Sequence, residues 1–154
     1  MKTEFRTYQT SDKNDIIALF NSNCPKYFNP NDLNDLVDYL ENYADENFKV
    51  VCIDGVILGC GGHYVKQKEQ VFGIAWVMFK RHALGVSNFL TVSNLFFEHL
   101  LLNIKSESFQ FDIVINTTQL LEKLFNKFGF LTEEIIKNGF GLNLDHYLMR
   151  RKWK

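Results

Sequence analysis

The residues best suited to gripping an anion are Lys80-Arg81-His82-Ala83-Leu84-Gly85-Val86-Ser87, between an apolar stretch and a long helical pattern. Lys80, Arg81 and His82 add donors for phosphate oxygens, Ser87 can cap the helix or donate, and Gly85 lets main chain approach a ligand closely. The unpaired N–H groups and positive dipole end of the following helix favour the same charge. A glycine at such a turn also serves plain turn geometry, so the residues alone leave both readings open. Neither G-x-x-x-x-G-K-S/T nor G-x-G-x-x-G occurs, which excludes a Walker-type loop and a dinucleotide fingerprint.

The elements that must position this loop follow from periodicity and punctuation. Lys2 to Tyr8 alternates as a strand, and Thr10-Ser11-Asp12 supplies a cap before the helical Ile16, Ile17, Leu19 and Phe20. Cys24-Pro25 breaks that helix, since a residue before proline is pushed out of helical geometry. Asn29-Pro30 opens a second helix, with Leu33, Leu36, Val37, Leu40 and Tyr43 on one face and Asp32 near its positive end. Asp54-Gly55 predicts a type I′ hairpin between Val50–Ile53 and a ribbon that continues to Val65. Val71 to Phe79 reads as a strand buried on both faces, and Asn88 to Ile104 as a central, buried helix. Phe109–Ile115 is the next predicted strand, Thr117–Phe128 a helix closed by Gly129, Phe130–Ile136 a strand and Tyr147–Arg151 the last one. The order β-α-α-β-β-β-α-β-α-β-β has no internal repeat or linker, and the unit from Val71 to Ile115 should be a right-handed parallel crossover.

With 154 residues, 46% hydrophobic and 15% aromatic, the chain suits one domain spanning 1–154 with a substantial core. Lys and Arg total 17 against 18 acidic residues, so no long-range field draws in nucleic acid or an acidic membrane, and neither is expected as a partner. An anionic ligand must be held locally. There is no apolar leader and no run near ~18 apolar residues, so a cytoplasmic location is expected. Cys24, Cys52 and Cys60 cannot all pair and show no zinc spacing; all three are read as reduced, and no metal is expected.

The segment His82-Ala83-Leu84-Gly85-Val86-Ser87 resembles the Q/R-x-x-G-x-G/A motif of the GNAT N-acetyltransferases, with His82 and Ser87 departing from it. Leu124 to Phe130 resembles the family's L/F-Y-x-K-x-G-F. Gly139-Phe140-Gly141 with Leu144-Asp145-His146-Tyr147 resembles the C-terminal pattern of one subgroup, which Thr10 to Pro30 also matches. The resemblance covers nearly the whole chain. It implies an α/β (α+β) fold with a mixed central sheet of six to seven strands and about four flanking helices.

It further implies an acetyl-CoA-dependent N-acetyltransferase acting by direct transfer on a primary amine of a small molecule or peptide. The pyrophosphate would lie on the amides of Leu84, Gly85, Val86 and Ser87, beside His82 and Ala83, and the pantetheine arm along the main chain of Val77, Met78 and Phe79. Thr118 matches the family's polar residue after the fifth strand, with Asn116 and Gln119 as neighbours; helix capping is the ordinary reading of its hydroxyl. The family's usual acid is the tyrosine of the second motif, where this chain has Phe125, so Tyr147 or Tyr64 would have to substitute or solvent protonate the thiolate. For the base, Glu69 is joined by His63, Asp145 and His146, each with a structural alternative. Trp76 lines an acceptor channel or packs the core, and His99 reads as a helix-surface residue. The acceptor side would be walled by Cys24–Asn31, where Tyr27 and Phe28 suggest an aromatic surface, and by Gly139–Asn143. Two rivals remain: a CoA-binding regulatory module that has lost its acid, and an interaction domain built on the chain's 15 phenylalanines. Homodimerisation stays open.

Overall fold

The computed structural model describes residues Met1–Trp153, and its elements follow the expected order. β1 (Thr3–Thr7) leads through a 3-10 turn at Thr10–Asp12 into α1 (Lys13–Asn23), and a second 3-10 turn at Pro30–Asp32 into α2 (Leu33–Asn42). Asp12 joins the first two elements: its carboxylate accepts from Arg6 Nη1 and Nη2 at 2.8 and 3.0 Å and from the Gln9 backbone N–H at 2.9 Å. β2 (Phe48–Ile53) and β3 (Val56–Lys66) form the expected hairpin, with positive φ at both Asp54 (51°) and Gly55 (83°), as a type I′ turn demands. β4 (Val71–Phe79), α3 (Val86–Lys105) and β5 (Asp112–Thr117) make the parallel crossover. α4 (Glu122–Asn126), β6 (Leu131–Gly141) and β7 (Leu144–Arg151) complete the chain.

The seven strands order as β1-β2-β3-β4-β5-β7-β6, antiparallel throughout except for the β4–β5 pair. Alternation along each strand sends side chains to two separate cores. Val51, Phe72, Ile74, Ile113 and Ile115 pack with Phe96, Phe97 and Leu100 of α3 and Phe125 of α4. On the other face Phe48, Val50, Cys60 and Met78 pack with Ile16 and Phe20 of α1 and Leu36 and Leu40 of α2. Burying five phenylalanines fully, Phe20, Phe48, Phe72, Phe96 and Phe130, contributes about 2–3 kcal/mol each before entropy is subtracted.

Four expectations need correction. α3 is not buried all round: Leu90, Leu95 and Leu102 are exposed, because helices cover each sheet face only once and nothing overlies its outer side. β4 is buried on both faces only from Val71 to Ile74; Ala75, Trp76 and Val77 are half-exposed at a gap in the sheet. Phe109 and Phe111 precede β5, stacked on each other at 4.9 Å. The expected helix from Thr117 is short, since β5 runs through Thr117 and a 3-10 turn, Gln119–Leu121, comes first. Gly129 closes it as expected, with φ 87°.

Candidate active site

Two adjacent strands separate at the centre of the sheet. β4 and β5 pair only from Val71↔Asp112 to Ile74↔Ile115; β4 then stays with β3 while β5 follows β7 as far as Thr117↔Tyr147. The cause lies in β4. Ala75 pairs with Gly62 and Met78 with Cys60, so Trp76 and Val77 together stand opposite Gly61 alone, a bulge that bends the strand away from β5. Trp76 sits at φ 55°, a region that bulky residues avoid at roughly 1–3 kcal/mol. Tertiary contacts hold it there: its ring stacks on Phe28 at 5.9 Å and meets Phe20 edge-on, and its carbonyl accepts from the Cys60 thiol at 3.2 Å. The main chain of Trp76 and Val77 consequently has no ladder partner in β5.

One end of this gap opens into a cavity of about 440 Å³ lined by Val77, Met78, Phe79 and the following loop. Its cations are Lys26, Lys80 and Arg81, with the His82 imidazole beside them, and among the described residues no carboxylate lines it. α3 begins here with Gly85 as its cap residue, without a side-chain cap. Phe89 donates to the Gly85 carbonyl at 2.8 Å, which leaves the amides of Val86, Ser87 and Asn88 without intrahelical acceptors. Gly85 is not required by torsion, since φ −65° and ψ 159° suit any residue. A Cβ built there meets nothing within 4 Å, so the main chain at the start of α3 is open on that side. The C-terminal end of α1 fixes the loop, with Asn23 Nδ2 donating to the Phe79 carbonyl at 2.9 Å and the Arg81 backbone N–H to Ser22 Oγ at 3.4 Å.

The inner end is a second cavity of about 230 Å³ between Ile74–Val77 and Ile115–Thr118. Tyr27, Phe28, Val77, Leu121 and Phe125 line both cavities and mark their junction. Tyr64, Trp76 and Phe140 add aromatic surface, and Asp32 adds the single carboxylate among the described residues. Burial pushes the Asp32 carboxyl up, and Asp35 nearby raises it further. The cavity is roofed where Asn29 Nδ2 donates to the Phe140 carbonyl at 3.0 Å, tying the α1–α2 loop to the β6–β7 hairpin. Gln119 secures that hairpin by accepting from the Asp145 amide at 2.9 Å and donating to the Asn143 carbonyl at 2.8 Å.

Val77, Met78, Phe79, His82, Leu84 and Val86 therefore line one continuous wall, with Ala83, Gly85 and Ser87 exposed between and beside them. Thr118 lines the inner cavity and caps its turn by accepting from the Leu120 amide at 3.3 Å. Glu69 is elsewhere: it lies in the β3–β4 turn, exposed and 3.6 Å from Lys66, at the far end of β4 from Trp76. Tyr147 projects to the α3 side of the sheet and packs on that core, outside both cavities. His63 is buried against Phe72, 3.0 Å from Glu107; His146 meets Asn116 Oδ1 at 2.7 Å; the Asp145 carboxylate accepts from the Asn138 amide. Of the two tyrosines weighed as acids, only Tyr64 reaches a cavity. Sequence reading passed over Asp32 as a site residue. Its only signal was its place at the start of α2, beside the loop expected to wall the acceptor side.

A seven-stranded sheet in this order, split between its one parallel pair by a bulge and bounded by an uncapped helix N-terminus, is the GNAT acetyltransferase fold. No family model and no curated protein matches the sequence, but solved structures do match the fold. An N-acetyltransferase from Staphylococcus aureus Mu50 superposes with TM-score 0.76 at 16% identity, covering 100% of both chains. Naa50 of Arabidopsis thaliana, in complex with the bisubstrate analogue CoA-Ac-MVNAL, gives 0.73 at 16% identity over 99% of each chain. The yncA protein of Salmonella typhimurium, with its cofactor acetyl-CoA, gives 0.72 at 13% identity over 100% of this chain and 95% of that one. The chain thus has the N-acetyltransferase fold from end to end.

Proposed function

We propose that this protein transfers the acetyl group of acetyl-CoA to a primary amine. The observation that carries the proposal is the charge division along the gap: a cationic cavity at the free amides of α3, continuous at Val77 and Phe125 with an inner cavity whose single charge is a carboxylate. The outer half suits phosphates, and the unladdered main chain at Trp76 and Val77 suits the amides of a pantetheine arm. Similar structures hold acetyl-CoA or a CoA conjugate, which supports the same occupant.

In the step proposed, the amine nitrogen attacks the thioester carbonyl, the C–N bond forms and the C–S bond breaks. The nitrogen loses one proton and the CoA thiolate gains one. Phe125 at the junction supplies no proton; Tyr27 and Tyr64 are the phenols lining the cavities, and solvent can protonate a thiolate without either. Isothermal titration with acetyl-CoA and a thiol-release assay over an amine panel test the reading together. Absence of measurable binding at millimolar acetyl-CoA refutes it. Phe125 also favours a second reading, a CoA-binding module without turnover, for which binding without thiol release across the panel is the expected result.

A further inference from the structure

Resting on that reading, we infer that the acceptor is a small primary amine that carries no carboxylate, its ammonium held by Asp32 and its body packed among Tyr27, Phe28, Tyr64, Trp76 and Phe140. Three features of the inner cavity lead there.

The first is charge. Among the described residues Asp32 is the only carboxylate lining the cavity, and no Lys, Arg or His lines it. None of the described ion pairs or side-chain hydrogen bonds engages the Asp32 carboxylate. A partly buried carboxylate without a cation is held at a desolvation cost that a bound ammonium offsets. An amino-acid acceptor would bring its own carboxylate into a site with an anion and no cation, where repulsion opposes it.

The second is the wall. Six aromatic residues, Phe125 among them, line the cavity together with one carboxylate, and the face of a ring attracts a cation, the more so when the pair is desolvated. The same rings give an alkyl or aryl body dispersion contacts that a polar chain would not use. The Phe28–Trp76 stack shows that flat groups already pack face to face here.

The third is enclosure. The Asn29–Phe140 hydrogen bond joins the two segments that flank the entrance, and a Cβ at Gly141 would meet Asn29 Nδ2 at 2.7 Å, so the two loops are in close contact. About 230 Å³ equals roughly eight water volumes. That volume suits a compact amine better than a polypeptide. Bound as the ammonium, the acceptor passes one proton to Asp32, which returns it to solvent. The neutral amine then attacks, and its second proton is the one the thiolate gains.

The test uses matched pairs that differ only by a carboxylate: 2-phenylethylamine against phenylalanine, and agmatine against arginine, with a short peptide added. Thiol release from acetyl-CoA should show kcat/KM at least 100-fold higher for each amine than for its amino acid, and the peptide should be as poor as the amino acids. Asp32→Asn should raise the amine KM at least tenfold while leaving the acetyl-CoA Kd within twofold, and Asp32→Glu should recover part of the loss. Equal or better turnover of amino acids or peptide overturns the inference, as does an unchanged KM in Asp32→Asn. So does wild-type protein that binds acetyl-CoA yet turns over neither amine. Wild-type protein that fails to bind acetyl-CoA refutes the acetyltransferase reading itself, a separate and distinguishable failure.

Discussion

Substituting Gly85 with alanine separates folding from cofactor binding at the one position where the structure predicts opposite answers. For folding, two small terms oppose each other. Alanine in place of glycine lowers the entropy of the unfolded chain, which stabilises by about 0.4–1 kcal/mol at a compatible torsion, and φ −65° is compatible. Against this, glycine is the better helix cap by up to about 1 kcal/mol. The added Cβ meets no protein atom within 4 Å. The net change should lie within about 0.5 kcal/mol, a Tm shift within about 2 °C for a chain of this size.

For binding, the new methyl group projects into open space at the start of α3, where the proposed function brings the pyrophosphate against the main chain. Crowding a fitted site by one methyl group costs about 1–3 kcal/mol, so acetyl-CoA affinity should fall roughly 5- to 150-fold. Titration calorimetry for Kd and thermal melting without ligand measure the two quantities. An unchanged Kd would refute the view that the α3 amides hold the phosphates. A Tm drop beyond 5 °C would refute the claim of open space.

Two further outcomes follow from the ties that position the site. Asn29→Ala removes the bond to the Phe140 carbonyl and the cap that accepts from the Asn31 amide at 2.9 Å, so it should destabilise by about 1 kcal/mol and raise the acceptor KM with little change in acetyl-CoA Kd; equal effects on both ligands would count against a roof over the inner cavity alone. Asp12 reports on pH: hydrogen bonds from Arg6, with help from the Gln9 amide, hold its carboxyl below the ordinary value near 3.9. The unfolded chain binds that proton more readily, so the group's contribution is present above about pH 5 and drains away as pH falls below about 4. Asp12→Asn should lower Tm at pH 7 by about 4–8 °C and flatten its fall between pH 5 and 3; an acid limb as steep as the wild type's would show that this carboxylate is not its source.

The same contrast between local and distant causes separates what was legible in the sequence from what was not. Element order, the Asp54-Gly55 hairpin, the Gly129 helix stop and the loop around Gly85 depend on neighbouring residues and torsional preference, and these are written in local pattern. Burial of α3 was misread because its apolar residues extend around the helix, and only the packed sheet shows that one side has no partner. Glu69 and Tyr147 are eligible as proton carriers by residue type, but the length of β4 puts the first at the far end of that strand and packing on the α3-side core keeps the second outside both cavities. Asp32 looked like a helix-start residue and nothing more.

The sequence by itself determined a strand, a glycine turn and a long helix able to receive an anion, because hydrogen-bond geometry at a helix start needs only the residues that form it. Tertiary structure alone decided where the sheet opens. The bulge at Trp76 has no local signature: a tryptophan at positive φ persists only because Phe28, Phe20 and the Cys60 thiol hold it, and those contacts come from parts of the chain far apart in sequence. The same long-range packing gathered Asp32 and six aromatic residues around the inner cavity, a grouping that no local pattern announces.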